Sequence, residues 1–204
     1  EFIINRLGKK VRPGDNLLSI LPMAHMYGMA VEFLFAFCHG CHLFFLTRLP
    51  SPAIIAQAFA DTKPALIVTV PLIIEKIIRK KVFPKVQDNR VKLLLSMPVV
   101  NKKVKDRICQ EVQKAFGGNF YEIIVGGAAL SKEVEEFLLS INFPLTVGYG
   151  TTECAPLISY CDHREFVAGC CGKPVDRMEV KILSRDPHHI PGEIVTKGCN
   201  VMLG

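Results

Sequence analysis

The feature that most restricts the fold is an alternation of short apolar runs with longer helical segments over the first 160 residues. The runs are rich in branched side chains and end at glycine or proline, which is typical of buried strands. Strands are predicted at 16–21, 42–46, 65–70, 91–97, 121–125 and 145–149. Helices are predicted at 27–38, 52–60, 71–81, 101–116 and 131–140. This order predicts an α/β fold with a mostly parallel sheet flanked by helices.

The pattern changes after residue 160, where short strands and Pro or Gly turns follow without a clear helical period. We therefore predict an α/β subdomain over 1–160 and the beginning of a β-rich, barrel-like subdomain over 161–204. The chain starts at Glu1 rather than Met and stops at Gly204, directly after a strand-like segment. Because neither end resembles the edge of a domain, we expect a piece of a longer protein.

The composition argues against a membrane span and against a disulfide scaffold. The longest apolar run, 29–46, includes Glu32, His39 and His42, which a span would bury at a considerable cost in free energy. Eight cysteines in a long, apolar chain favour reduced thiols and a cytoplasmic protein. The cysteines and histidine within 161–171 lack the paired spacing of a zinc site.

The net charge of +6 is concentrated between residues 76 and 107. A solvated helical face is the simplest interpretation of this basic stretch. Peripheral association with an anionic membrane, or binding of CoA phosphates, is the alternative. Nucleic acid is not an expected partner, because aromatic side chains are not interleaved with these charges.

Three loops follow predicted strands, and ligands of parallel sheets bind at the carboxyl ends of the strands. The third of these loops has the sequence Gly148-Tyr149-Gly150-Thr151-Thr152-Glu153. Its glycines allow a flat ligand to approach, and its tyrosine offers an aromatic face. Its threonines suit phosphate oxygens, and Glu153 is a hard oxygen ligand for Mg²⁺. The pattern indicates a nucleotide with a metal ion, with an ordinary glycine turn as the alternative.

The other two loops are less specific. Small residues form the second loop, Gly126-Gly127-Ala128-Ala129-Leu130-Ser131, whose backbone could pass over a purine ring. Taken alone, this loop is explained more simply by a tight strand–helix turn. The first loop, 21–28, carries His25, which could donate a hydrogen bond to a carboxylate or a phosphate. A histidine buried in the core is the alternative for His25.

Together these loops resemble the adenylate-forming superfamily of acyl-CoA synthetases, luciferases and peptide-synthetase adenylation domains. The segment 149–153 is the most specific match, and two further matches are 169–174 and 191–198. The resemblance implies that a carboxylate attacks the α-phosphate of ATP to give an acyl-adenylate and pyrophosphate. A thiol, usually that of CoA, then accepts the acyl group. Within the family, 21–26 and 63–77 resemble long-chain fatty acid–CoA ligases.

The family's residue roles can be assigned to matching positions. The resemblance implies that Tyr149 stacks on adenine beside Gly127 and Ala128, and that Thr152 contacts the α-phosphate. It also implies that Glu153 binds Mg²⁺ and that His25 lies where carboxylate and phosphate meet. The expected catalytic residues are therefore His25, Thr152 and Glu153. The expected nucleotide-binding residues are Gly126, Gly127, Ala128, Gly148, Tyr149, Gly150, Thr151 and Thr152.

Several parts of the family pattern lie outside this sequence. These are the upstream phosphate loop with its lysine, the ribose-binding aspartate and the C-terminal domain with its catalytic lysine. We therefore expect the 204-residue chain alone to be inactive. The alternatives to a fatty acid–CoA ligase are a ligase for another acid, an enzyme that loads a carrier-protein thiol, and a catalytically idle binding protein.

Overall fold

The computed structural model describes residues 2–86 and 98–203 of the chain. The strands are β1 (Asn16–Ser19), β2 (His42–Phe45), β3 (Ile67–Thr69), β4 (Ile123–Val125), β5 (Leu145–Val147), β6 (Tyr149–Gly150), β7 (Leu157–Tyr160), β8 (Lys173–Pro174), β9 (Met178–Leu183) and β10 (Glu193–Gly198). The α-helices are α1 (Phe2–Leu7), α2 (Phe35–His39), α3 (Pro52–Thr62), α4 (Pro71–Ile77), α5 (Phe83–Val86), α6 (Pro98–Lys114) and α7 (Lys132–Ser140). Two π-helical segments, Gly28–Leu34 and Ile78–Val82, precede α2 and α5.

The first five strands run parallel and lie in the order β2–β1–β3–β4–β5. β1 pairs with β2, and β4 pairs with both β3 and β5. A single parallel bridge between Leu17 and Leu66 joins β1 to β3. The Ala65 N–H supports this junction by donating a 2.9 Å hydrogen bond to the carbonyl of Asn16. The predicted α/β fold with a mostly parallel sheet is confirmed.

Helices and loops cover both faces of this sheet, because successive strand residues point to opposite sides. Leu18 and Ile67 belong to one apolar cluster, which also contains buried side chains of α3, α4 and α7. Leu17 and Val68 belong to a second cluster with α2, the π-helical segment Gly28–Leu34 and β7. β1, β3, β4 and β5 are therefore buried on both sides, as their mainly apolar sequences predict, whereas β2 at the end of the strand order is mostly exposed.

Some local predictions differ from the structure. The sequence 27–38 is apolar nearly all round, which predicts a buried helix, but Leu34 is 45% exposed and Phe37 is 71% exposed. The sheet covers only the face that carries Val31 and Phe35, and β2 beside it is an edge strand. The short helix α1 was not predicted, and the strand predicted at 91–97 lies outside the described residues.

The strands become antiparallel from β6 onward. β7 pairs with both β6 and β8, and β9 forms a hairpin with β10. Antiparallel pairing thus begins at Tyr149, before the division at residue 160 that stays a prediction. None of the described helices is both long enough and apolar enough to cross a membrane.

Candidate functional site

A pocket of about 180 Å³ lies beside the loops that follow β1, β4 and β5. The predicted site residues that line it are His25, Gly126, Gly127, Gly148, Tyr149, Gly150, Thr151 and Thr152. The three loops selected from the sequence therefore meet at one place. Their convergence follows from the parallel sheet, which brings the carboxyl ends of its strands to a single edge.

Two predicted site residues, Ala128 and Glu153, are exposed and do not line this pocket. Glu153 lies in a single 3₁₀ turn, Thr152–Cys154, and its carbonyl accepts a 2.8 Å hydrogen bond from the Met202 N–H. Because the neighbouring Thr152 lines the pocket, the backbone of Glu153 lies beside it. An exposed carboxylate at this place is accessible to a cation such as Mg²⁺, which keeps several of its waters when a protein carboxylate binds it.

Gly150 is required by the close approach of two chain segments. A Cβ atom at this position would lie 1.9 Å from the carbonyl oxygen of Pro156, far inside any real contact. The Thr151 N–H donates a 2.8 Å hydrogen bond to the same carbonyl. The glycine therefore allows β6 to lie against the start of β7, and this contact shapes one wall of the pocket.

Sequence reasoning missed part of the pocket wall. Ile3, Arg6 and Leu7 of α1 line the pocket, but a six-residue helix has too few turns to give a periodic signal. Tyr27 was also missed as a pocket residue. Its position two residues after His25, in a loop that follows a strand, was the available signal.

Tyr27 supports the floor of the pocket. A Cβ atom at Gly126 would lie 3.0 Å from the Cζ atom of the Tyr27 ring, so a larger residue here would require the ring to shift. The Tyr27 hydroxyl donates a 3.0 Å hydrogen bond to the carbonyl of Ile124, and the carbonyl of Thr69 lies 3.4 Å away. Burial, with the nearby Glu32 carboxylate, raises the pKa of Tyr27 well above 10, so the hydroxyl remains a donor.

His25 presents one ring nitrogen for binding. The Tyr27 N–H donates a 3.1 Å hydrogen bond to Nδ1 of His25, which therefore acts as an acceptor. In the neutral ring the hydrogen is then on Nε2. Since His25 is exposed and lines the pocket, Nε2 can donate a hydrogen bond to a ligand oxygen there.

A buried carboxylate holds the loop that carries His25. Glu32 is 1% exposed and accepts hydrogen bonds from the Ser19 hydroxyl at 2.9 Å, the Ile20 N–H at 3.2 Å and the Leu21 N–H at 3.0 Å. These donors lie where β1 ends and the loop begins. Burial raises the pKa of Glu32 from 4.5 to about 7, and the three hydrogen bonds oppose that rise.

A second group of ionisable side chains lies outside the pocket. Glu122, Asp162 and His163 offer three possible metal-ligand atoms within 4.8 Å of one another. However, the Glu122 carboxylate already accepts hydrogen bonds from the Tyr160 hydroxyl and, at 3.1 Å, from the His163 N–H. Asp162 is likewise bound by Tyr121 and Arg164. We therefore interpret this group as a structural network.

A comparison with protein-family models matches residues 2–204 to the family described as AMP-binding enzyme. The chain belongs to the AMP-binding enzyme family. One curated relative is mouse long-chain-fatty-acid–CoA ligase 6, which is 24% identical to this chain over 212 residues. The match covers 95% of this chain but only 30% of the relative. The chain thus spans about 30% of the length of the curated relatives that it matches.

Solved structures with the same fold include acyl-CoA ligases. One is o-succinylbenzoate CoA synthetase from Bacillus subtilis in complex with ATP and magnesium ion, with a TM-score of 0.65 and 19% identity. It is matched over all of this chain and 37% of its own. Another is a benzoate CoA ligase from Burkholderia xenovorans LB400, with a TM-score of 0.66, 17% identity and coverage of 94% and 34%. These structural similarities show that the chain has the same fold as these two proteins.

Proposed function

We propose that this chain forms part of an AMP-forming acid–CoA ligase, with a long-chain fatty acid as its substrate. The observation that carries the proposal is the convergence of His25, Gly127, Tyr149 and Thr152 on one pocket at the carboxyl edge of the sheet. The names of the curated relatives favour a fatty acid. An aromatic acid is the second candidate, because the similar solved structures include a benzoate ligase and a succinylbenzoate synthetase.

In this proposal the chain acts by holding reactants and by stabilising charge. Tyr149 stacks on the adenine ring of ATP, and Gly127 and Ala128 form the edge of the same subsite. Thr152 donates a hydrogen bond to the α-phosphate. Nε2 of His25 donates a hydrogen bond to an oxygen of the substrate carboxylate or of the α-phosphate. The carboxylate attacks the α-phosphorus, and pyrophosphate leaves. The acyl group then passes to the CoA thiol, which releases AMP.

Glu153 is the proposed ligand of Mg²⁺. Its exposed carboxylate fits this cation, which keeps several waters and prefers carboxylate and phosphate oxygens. When bound, the cation would neutralise charge on the phosphates of ATP. A basic surface that docks on anionic membranes is compatible with this function, and sedimentation with anionic lipid vesicles tests it separately.

The test is acid-dependent exchange of pyrophosphate into ATP by the complete protein that contains this chain, across short, medium and long fatty acids and benzoate. We expect exchange to be greatest with long chains and to fall about 100-fold in Glu153→Ala, because charge stabilisation is a large part of such catalysis. Glu136→Ala removes another exposed carboxylate and should change the rate less than twofold. Exchange with benzoate alone would select the second candidate, and no exchange with any acid would refute the ligase.

A further inference from the structure

The side chain of Asn200 holds the turn that carries Thr152 and Glu153 from outside. Its Nδ2 atom donates a 2.6 Å hydrogen bond to the carbonyl of Cys154 and a 3.0 Å hydrogen bond to the carbonyl of Leu157. These two carbonyls lie on either side of the segment that closes the turn. One amide therefore holds Cys154, the last residue of the turn, and Leu157, the first residue of β7.

Neighbouring groups of the same C-terminal segment add to this attachment. The Met202 N–H donates a 2.8 Å hydrogen bond to the carbonyl of Glu153. The Thr196 hydroxyl, on β10, lies 3.7 Å from the Sγ atom of Cys154. The β9–β10 hairpin and the residues after it thus contact consecutive residues of the turn, Glu153 and Cys154. The turn has few hydrogen bonds of its own, because it is a 3₁₀ turn of only three residues.

We infer that Asn200 is a positioning residue for the ligase reaction: its amide sets the place of Thr152 and Glu153 relative to the nucleotide. This inference rests on the proposed function, because the turn matters for catalysis only if it holds the phosphates and the cation. Asn200 does not line the pocket and touches only main-chain carbonyls among its described partners. It therefore acts through the turn.

The chemistry of the side chain is specified by its two acceptors. Two carbonyl oxygens need two N–H donors from one atom, which a primary amide supplies. A hydroxyl has a single hydrogen, and a carboxylate has none. Asn200→Asp keeps the shape of the side chain but removes both donors and places negative charge against two carbonyls. This substitution should loosen the turn without emptying the space that Asn200 fills.

Asn16 supplies a matched control. It is also half-buried, and its Nδ2 atom donates a 2.8 Å hydrogen bond to the distant carbonyl of Thr62. It is the first residue of β1 and so lies at the amino ends of the parallel strands, whereas the pocket lies at their carboxyl ends. Asn16→Asp therefore applies the same chemical change away from the turn, and it reports the general effect of losing such a bond.

The first experiment measures pyrophosphate exchange by the complete protein with Asn200→Asp or Asn16→Asp. We expect Asn200→Asp to lower kcat at least tenfold and to raise the Mg²⁺ concentration for half-maximal rate severalfold. Asn16→Asp should change both quantities less than twofold. If the two variants behave alike, the positioning role is refuted. If the wild type itself shows no exchange, the proposed function fails, and the next experiment still decides whether Asn200 holds the turn.

The second experiment measures amide hydrogen exchange in the complete protein that contains this chain and needs no activity. Asn200→Asp should speed exchange at least tenfold at Thr151, Cys154 and Ala155, whose N–H groups donate hydrogen bonds to carbonyls within 151–156. Exchange at β4 (Ile123–Val125) should stay as in the wild type. Unchanged exchange in the turn would overturn the inference. Equal acceleration in the turn and in β4 would show a role in global folding instead, and would overturn it as well.

Discussion

The loop that carries His25 and the turn that carries Thr152 face the same pocket, but different chemical groups hold them. The His25 loop belongs to the parallel sheet and is held by Glu32, a carboxylate buried to 1% exposure. The Thr152 turn belongs to the antiparallel region and is held by the amide of Asn200. A carboxylate with a pKa of about 7 changes its charge near neutrality, whereas an amide does not titrate. The support of the His25 loop can therefore respond to pH, whereas the support of the Thr152 turn cannot.

The largest effect should come from breaking the antiparallel side at Gly150. Gly150→Ala places a Cβ atom 1.9 Å from the carbonyl oxygen of Pro156, so β6 and β7 must separate. We expect the free energy of unfolding to fall by about 3 kcal/mol, the upper end of overpacking costs. Urea unfolding measures this loss. Gly148→Ala is the control, because its Cβ atom would meet neighbours only at 3.6 Å, and an equal loss in both variants would contradict the explanation.

A smaller, pH-dependent effect should come from Glu32 on the parallel side. Its pKa is raised from 4.5 to about 7 in the folded state, so folding strengthens proton binding. The stability from this group is fully present below pH 4.5 and is lost as the pH rises through about 7. Relative to Glu32→Gln, the wild type should therefore lose about 2–3 kcal/mol between about pH 4.5 and about pH 8.

Urea unfolding of both proteins at several pH values measures this difference. Ser19→Ala is the companion variant, because it removes one hydrogen bond to Glu32 but leaves the carboxyl group in place. The pH dependence should persist in Ser19→Ala and disappear in Glu32→Gln. A constant difference between wild type and Glu32→Gln at every pH would remove the contrast between the two supports.

The smallest effect should come from Tyr27, a neutral support of the His25 loop. Tyr27→Phe keeps the ring beside Gly126 but removes the hydrogen bond from its hydroxyl to the carbonyl of Ile124. We expect the free energy of unfolding to fall by about 1 kcal/mol. This loss should not depend on pH between about 5 and about 8, because the raised pKa of Tyr27 keeps its hydroxyl protonated over this range. A loss that varied with pH would mean that Glu32 and Tyr27 act as one titrating unit.

Much of the fold was predictable because its signals are local. The run at 65–70 is apolar except for Thr69, and β3 is buried on both faces as such a run predicts. Other local signals were misleading. Ser131 directly precedes α7, and serine is a residue type that predicts an N-cap, but its side chain makes no capping bond. Instead its N–H donates a 2.8 Å hydrogen bond to Glu75, a residue from a different helix that no local pattern could bring to this place.

The sequence by itself determined the parallel sheet and the meeting of its three loops. Strand–helix alternation and the residues after each strand are properties of neighbouring positions, and parallel pairing then brings the strand ends together. Only the tertiary structure decided what holds those loops. Glu32 meets Ile20 and Leu21, and Asn200 meets Cys154 from 46 residues away. Such partners are chosen by packing between distant segments, because a buried donor or acceptor takes whichever group the fold brings within reach.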